Sequence, residues 1–493
     1  MINTLTLFHD KNRDAFAFVN GEVVPLRSRA ICHLFSMLFY QATGKGLNND
    51  SLGQVLNVLE AKAVYESRQV ELWNRVAKHE GAFWYDLGRG KAVKITADGW
   101  AVVEVPILFR RYAHQQPQAE PIRGGNPWVM YRSLNVADQD KLLVLVYIIS
   151  CFIPDIPHPI FHPHGAQGSA KTSLCNLIKK TVDPSFIEAI ITPRDYNQLI
   201  QMIHHHCIGL FDNISSLPGW MSDVLAMACT GGGFSKRQLY TDDDDIIYQV
   251  KRCIGLNGIN LLISKADLMD RSILLTLERI DPANRIEEVD LWAGFEKEKA
   301  GILGGIFDTL SRAMAVHPSV RLSYLPRMAD FARWGYAIAE ALGGRGDEFL
   351  KAYRANIARQ NEEVVEGNTL AQVVLRFMAD KKEWSGYVQN AFETLQRIAN
   401  PTKADRTFPK DQKNLRKHLE RIKTTLLELG VRFDIGTRDK QGVPISFLRE
   451  SKSSTSSASD SFDLESNNLE GVSTGVDDLT PASSTPRSTP ENS

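Results

Sequence analysis

The segment Gly165-Ala166-Gln167-Gly168-Ser169-Ala170-Lys171-Thr172-Ser173 holds the residue types of a phosphate cradle, at the spacing such a cradle needs. Glycines let backbone N–H groups turn inward around an anion, and a helix opening near Ala170 adds its positive dipole end. Lys171 can then reach the β- and γ-phosphates of a nucleotide, while the Thr172 hydroxyl can hold Mg2+. The usual pattern, G-x-x-x-x-G-K-[ST], has a second glycine where this chain has Ala170. Alanine fits that slot on condition that its backbone stays right-handed.

A nucleotide site needs a second acidic group beside the loop. The apolar run Cys207-Ile-Gly-Leu-Phe211 ends in Asp212 and supplies one, which would act on Mg2+ through water. The plain alternative is a buried strand whose aspartate caps the next helix. Asn213 follows; its amide can orient a water molecule but cannot accept a proton at neutral pH. Asp223 is the alternative carboxylate for that task. A third strand, Lys251 to Leu256, ends in Asn257, suited to sensing a γ-phosphate or aligning the attacking water; Asn260 is its rival. Arg271 precedes the strand Ile273 to Leu277, in a place from which it can reach the nucleotide of a neighbouring subunit. Arg327 opens a helix with Phe331, Trp334, Ile338 and Leu342 on one face, and can close over the phosphates from a lid.

These residues need a scaffold, and the pattern of the chain provides one. From 126 to 345 apolar strands alternate with helical stretches, the mark of an α/β fold with a parallel sheet and helices on both faces. Residues 1–125 read as a small α+β module, helical from Ser51 to Ala77 and then strand-rich around Phe83, Ala92 and Trp100. Trp84, Trp100 and Trp128 read as core anchors. Residues 346–450 read as helical from Glu348 to Asp380. Next comes a basic helix with Leu415, Leu419, Ile422, Leu426 and Leu429 on one face, then a hairpin of Val431 to Ile435 and Val443 to Phe447. Helices followed by a two-stranded wing suggest a winged helix that binds DNA. Residues 451–493 are Ser/Thr-rich and acidic, with too few apolar side chains to offset the entropy of ordering, and read as a disordered tail.

The formal net charge of −1 hides an asymmetry. The tail carries two cations against seven carboxylates, a net of −5, which leaves +4 on the rest of the chain. That balance permits nucleic-acid binding. Six scattered cysteines without a C-x-x-C pair read as free thiols in a reducing compartment. The longest apolar run, Leu142 to Ile153, is too short for a membrane span, and no secretory signal opens the chain, so a cytoplasmic protein is expected. His204-His205-His206 invites a metal reading, but adjacent residues on an extended chain point alternately and do not converge on one ion.

Taken in order, the glycine loop, the Asp212 strand, the Asn257 strand, Arg271 and Arg327 resemble an AAA+ P-loop ATPase core with its lid. The nearest likeness is to the primase–helicase-like replication proteins of phages, plasmids and genomic islands, with minichromosome-maintenance helicases more distant. It is carried by Gly165–Ser173, by Arg237-Gln-Leu-Tyr-Thr-Asp-Asp243 and by Pro326-Arg-Met-Ala-Asp-Phe331. The resemblance implies ATP and Mg2+ as cofactors, with Thr172 and Asp212 at the metal. It also implies a homo-oligomeric ring, most simply a hexamer, acting on single-stranded DNA, with a primase supplied by a separate partner. A hairpin before the Asn257 strand would grip DNA, with Lys236 and Arg237 as contacts. In many hydrolysing relatives a glutamate stands where this chain has Asn213. The expected function is an ATP-dependent DNA translocase or helicase for replication of a mobile element. The alternative is a DNA-binding switch (an initiator, a loader or a defence regulator) with weak hydrolysis.

Overall fold

In the computed structural model the described residues are 5–449, apart from 20, 238–244, 259–261, 264, 367 and 401–406. Residues 1–450 form one compact unit and 451–493 a second, which lies outside the described residues, as does the expected tail.

At the centre, four short strands form a parallel sheet in the spatial order Ile208–Phe211, Cys253–Leu256, Ile160–His164, Ser272–Thr276. Every residue in them is buried except Thr276, and burial on both faces is what a parallel sheet requires. The helix Asp138–Ser150 is buried continuously from Leu142 to Ser150, and Tyr147 stacks on Phe161 of the sheet at 4.9 Å. Helices Glu288–Val316, Ala329–Ala341 and Gly346–Glu366 extend the same core through Phe307, Phe331, Phe349 and Tyr353. Where Glu288–Val316 meets the segment 122–125, backbones touch. A Cβ on Gly304 would stand 1.6 Å from the Ile122 carbonyl oxygen, so only glycine fits. Before the Asn257 strand, Gly232–Arg237 and Asp245–Val250 pair as an antiparallel hairpin.

The N-terminal module differs from expectation in detail. Its helices are Arg29–Thr43 and Asn49–Tyr65; the second stops well short of Ala77, because Val76–His79 joins a four-stranded antiparallel meander. That meander, Val76–His79, Ala82–Gly88, Lys91–Thr96 and Gly99–Glu104, buries Phe83, Tyr85, Val93 and Ile95 in the main core. Trp84 and Trp100 are buried, and Trp128 is partly so.

In the C-terminal part the expected long helices are broken. Asn368 caps a new helix, Thr369–Phe377, with its side chain accepting from Ala371 N. The basic helix splits into Gln412–Arg421 and Lys423–Glu428 at Ile422, whose backbone (φ −110°, ψ 11°) leaves the helix. Leu415, Leu419, Ile422 and Leu426 nevertheless share one core with Phe433, Ile445 and Phe447. The hairpin Val431–Ile435 and Pro444–Arg449 gains a third, unanticipated strand, Glu383–Tyr387, paired to the outer side of Pro444–Arg449. All six cysteines are free; five are buried and Cys32 is partly exposed. Among the described residues no helix is long and apolar enough to cross a membrane.

A buried charge cluster joins the N-terminal module to the sheet. Asp183 caps the end of the helix Lys171–Val182 and is fully buried. It accepts from Lys179 Nζ at 2.7 Å, Arg75 Nε at 3.1 Å and Cys207 N at 3.0 Å. Burial alone would raise its pKa; Lys179 and Arg75 outweigh that and hold it below the ordinary carboxylate range. His206 lies 3.0 Å from Lys179 Nζ; burial, then Lys179, depress its ring to about 2. His204 is depressed to about 3, by burial and then Arg252 and Arg110.

Both rings are therefore neutral in the folded protein at pH values where the unfolded chain, near 6.5, binds protons. Stability should be full above pH 6.5 and fall as pH drops from there toward 3, by up to about 1.4 kcal/mol per pH unit for each ring. Urea melts at pH 7.5, 6.5, 5.5 and 4.5 measure this; a flat profile would contradict neutral burial. Asp183→Ala leaves two cations unpaired in the interior and should cost about 3–5 kcal/mol.

Candidate nucleotide site

The glycine loop bridges the strand Ile160–His164 and the helix Lys171–Val182, as the sequence pattern predicts. Its form depends on three positive-φ residues: Gly165 (φ 138°), Gly168 (φ 82°) and Ala170 (φ 60°). A Cβ on Gly165 would stand 2.2 Å from the Leu277 carbonyl oxygen, so that residue must be glycine. Ala170 contradicts the expectation of a right-handed backbone. At φ 60°, ψ 31° it is left-handed, the conformation that a second glycine supplies without strain. The turn into the helix demands that geometry whichever residue occupies it.

Lys171 lies inside the loop, its Nζ donating to Gly165 O at 2.8 Å, Ala166 O at 2.9 Å and Ser169 Oγ at 3.3 Å. Burial lowers its pKa, and Asp212 opposes the shift. An ammonium satisfied only by neutral oxygens is ready to exchange them for an anion. Thr172, Asp212 and Asn257 converge beside it at the carboxyl ends of three strands. Thr172 Oγ1 donates to Asp212 Oδ1 at 3.4 Å, Asn257 Nδ2 lies 3.2 Å from Thr172 Oγ1, and Asn257 Nδ2 also donates to Asp212 Oδ1. Asn213 N adds a third contact to Asp212 Oδ1 at 2.7 Å.

Asn213 itself is exposed and left-handed (φ 53°). Asparagine tolerates that backbone better than glutamate does, which is a local reason for its presence. Asp223 is engaged in an ion pair with Lys265 at 2.5 Å.

The two motif arginines lie elsewhere. The Arg271 carbonyl accepts from Ile160 N, at the start of the strand whose far end carries Gly165. Five extended residues separate them by about 13 Å or more. The Arg271 side chain is tied down by Ala226 O at 3.0 Å, Thr230 Oγ1 at 3.1 Å and Asp267 Oδ1 at 3.2 Å. Arg327 is at the same end, paired to Asp267 and, at 3.5 Å, to Asp270. It does not close over its own chain's loop, because the turn before its helix packs at the amino ends of the strands.

Residues 129–363 match the family model described as the actinomycete integrative conjugative element replication protein, and residues 370–459 match the RepA C-terminal domain of the same elements. Together they cover about two thirds of the chain. The chain belongs to the RepA family of replication proteins. RepA of this kind is a replication protein of a mobile element. No curated protein is similar enough to count as a relative. Among solved structures, the A form apo structure of the NrS-1 C terminal region is similar at 11% identity, with 91% of this chain and 97% of that chain covered and a TM-score of 0.41. A second apo structure of the same region gives 10% identity, the same coverage and a TM-score of 0.40. At these scores the likeness carries no argument.

Several residues around the RepA loop escaped sequence reasoning. A Cβ on Gly168 would meet Arg285 Nη2 at 3.6 Å and Arg279 Nε at 4.0 Å, so both guanidinium groups stand at the loop of their own chain. Both are exposed. Asn135 Nδ2 joins Ser169 O at 3.2 Å to Glu278 O at 2.6 Å, which fixes the arginine-bearing segment to the loop. His162 Nδ1 donates to Leu256 O at 2.7 Å while its Nε2 accepts from Leu262 N at 3.1 Å, anchoring the chain on both sides of Asn257. The charge of Arg279 and Arg285 was the available signal, but nothing in their spacing pointed at the loop.

His204 and His205 end the helix Tyr196–His205, with His206 capping it, so the extended chain expected there is wrong. Asp195 caps its start, accepting from Gln198 N, which is why this stretch is helical. The side chains of Lys236 and Arg237, and all of Asn260, lie outside the described residues. Among the described residues no group of three or more His, Cys, Asp or Glu could hold a metal ion.

The strain at position 170 can be measured. Ala170→Gly should match or exceed wild-type stability by about 0.5–1 kcal/mol, although glycine at a helix start ordinarily lowers it. Ala170→Val should cost about 2 kcal/mol, since a β-branched residue tolerates left-handed backbone poorly. Thermal melts of the three proteins decide it; equal losses for both substitutions would rule out a left-handed residue there.

Proposed function

We propose that this RepA chain is an AAA+ ATPase that drives DNA translocation or unwinding during replication of its element. The observation that carries the reading is the convergence of Lys171, Thr172, Asp212 and Asn257 at the carboxyl ends of adjacent parallel strands. That is where open α/β sheets bind ligands. The donor set fits the groups required: inward amides and a lysine for phosphates, and the hydroxyl and carboxylate oxygens of Thr172 and Asp212 for a hard cation. Mg2+ bound there would neutralise charge on the transferring phosphoryl group.

In this reading Lys171 leaves its loop carbonyls for the β- and γ-phosphates, cradled by Gly165 to Ser173. Asn257 directs its amide at the γ-phosphate or the attacking water. Arg279 and Arg285 face the nucleotide within the chain. Arg271 and Arg327, at the opposite end of the sheet, serve only a nucleotide held by a neighbouring copy, as in a ring such as a hexamer. Arg327 is the more available, its side chain 43% exposed against 18% for Arg271. The hairpin Gly232–Arg237 and the basic, exposed helix Gln412–Arg421 of a winged helix engage DNA. Primer synthesis falls to a separate partner.

Asn213 favours a second reading, a DNA-binding switch that hydrolyses slowly. The left-handed backbone sharpens the test, since Asn213→Glu installs a base at the cost of strain. Steady-state ATP hydrolysis with and without single-stranded DNA separates the two. The motor predicts DNA-stimulated turnover that falls at least about 100-fold in Lys171→Ala. Tight ATP binding with negligible turnover in the wild type, raised by Asn213→Glu, would establish the switch. Turnover intact in Lys171→Ala would refute both.

A further inference from the structure

A cleft of about 760 Å3 opens at the amino ends of the sheet strands, away from the glycine loop. Its wall includes Arg110, Tyr112, His204, His205 and Arg252, and it runs to Gly231–Gly233 at the foot of the hairpin. The Arg110 guanidinium is sandwiched 5.2 Å from the Phe16 ring and 5.2 Å from the Tyr112 ring. Tyr112 in turn stacks on His205 at 4.1 Å and bonds His204 Nδ1 at 3.1 Å. Asn74 Nδ2 fixes the histidine carbonyls at 3.3 and 3.1 Å. Arg110 is thus held by ring faces, which leaves its N–H edges available. Arg252 gives one nitrogen to Lys251 O at 3.0 Å, and its Nε is buried with no partner among the described residues.

Carboxylates of Asp10, Asp14, Glu71 and Asp155 also line the cleft, but among the described residues none forms an ion pair with Arg110 or Arg252. Asp10 Oδ1 is taken by the amides of Asn12 and Asp14, both at 2.9 Å. Burial, then Asp10, raise the pKa of Asp14 and outweigh Arg110, which lowers it. At the histidine floor, after burial, His204 is pushed down by Arg252, Arg110, His205 and Lys11.

We propose that this cleft is a binding site for the phosphodiester backbone of single-stranded nucleic acid, gripped by Arg110 and Arg252. Two preorganised guanidinium groups outside any ion pair suit phosphate oxygens. The volume suits a short stretch of one strand. Trp73 on the wall adds an aromatic ring of the kind on which bases stack. Continuity with Gly231–Gly233 places the site on the path of any strand that the hairpin holds. The site extends the DNA engagement proposed above but needs neither ATP nor hydrolysis.

The test is the anisotropy of a labelled 20-nucleotide oligothymidylate titrated with the full chain, without ATP, across a salt series. Arg110→Gln and Arg252→Gln should each weaken binding about 5- to 10-fold and reduce the log–log salt slope by about 0.7, one phosphate contact on a single strand. Arg110→Lys and Arg252→Lys should keep the wild-type slope, which a merely structural role would not predict. Glutamine variants that melt as wild type does and bind with unchanged affinity and slope overturn the proposal. So does competition by inorganic phosphate as effective as by the oligonucleotide, which would mark a site for a free anion. ATP turnover measured with and without saturating oligonucleotide separates this result from the reading above. A wild type inactive in both conditions whose arginine variants lose oligonucleotide binding keeps the cleft and sinks the motor; DNA-stimulated turnover with arginine variants that bind as wild type does keeps the motor and sinks the cleft.

Discussion

A carboxylate with no access to water, Asp183, is the point on which the arrangement turns. It ends the helix that begins at Lys171, and its oxygens receive the cations of Lys179 and Arg75 and the amide of Cys207. Arg75 belongs to the N-terminal module and also donates to the carbonyls of Asp86, Gln116 and Pro184. Lys179 donates onward to Ile208 O at 2.9 Å, the first residue of the strand that ends beside Asp212. One buried cluster thus fixes the far end of the loop helix, the near end of the acidic strand and the inner edge of the first module. Charges out of water are stable only while every partner is present, so the three parts keep one mutual placement. Lys171 and Asp212 inherit their separation from it.

The opposite end of the sheet is built on other principles. There the polar groups are few, partly exposed and satisfied by one another: Thr172 by Asp212, Asp212 by Asn257, Lys171 by its own loop. Ala170 holds left-handed backbone that alanine does not prefer, and Asn213 one that asparagine tolerates. Strain persists where the surroundings over-determine it, and such positions gather at functional sites. A tight charged cluster at one pole and an exchangeable one at the other divide positioning from chemistry across the four strands.

Much of the end of the sheet that carries Lys171 and Asp212 was legible in the sequence, because local rules govern it. A glycine-spaced loop, a lysine–threonine pair and two apolar strands ending in Asp212 and Asn257 are all written in short segments. What escaped reading depends on direction and distance. Arg327 stands in the expected order along the chain, yet its helix starts at the other pole, beside Asp267, and not over its own loop; Arg271, expected to face a neighbour's nucleotide, lies at that pole too. Arg75 and Asp183 meet across more than a hundred positions, and no local pattern pairs them. The helix break at Ile422 and the added strand Glu383–Tyr387 follow from the shape of the core they share with Phe447, which periodicity along one segment cannot convey. The histidine triplet was misread because Asp195, nine residues before His204, was not weighed as a cap.

The six free thiols have a practical corollary. Burial pushes Cys175, Cys207, Cys229 and Cys253 far from the thiolate form, whereas Cys32, on the helix Arg29–Thr43, is partly open. Thiolate character and access set the rate of alkylation. The native chain therefore carries one fast-labelling position in its first module and several silent ones around the sheet. Labelling kinetics, followed residue by residue, would time the opening of each layer without adding any foreign probe to the protein.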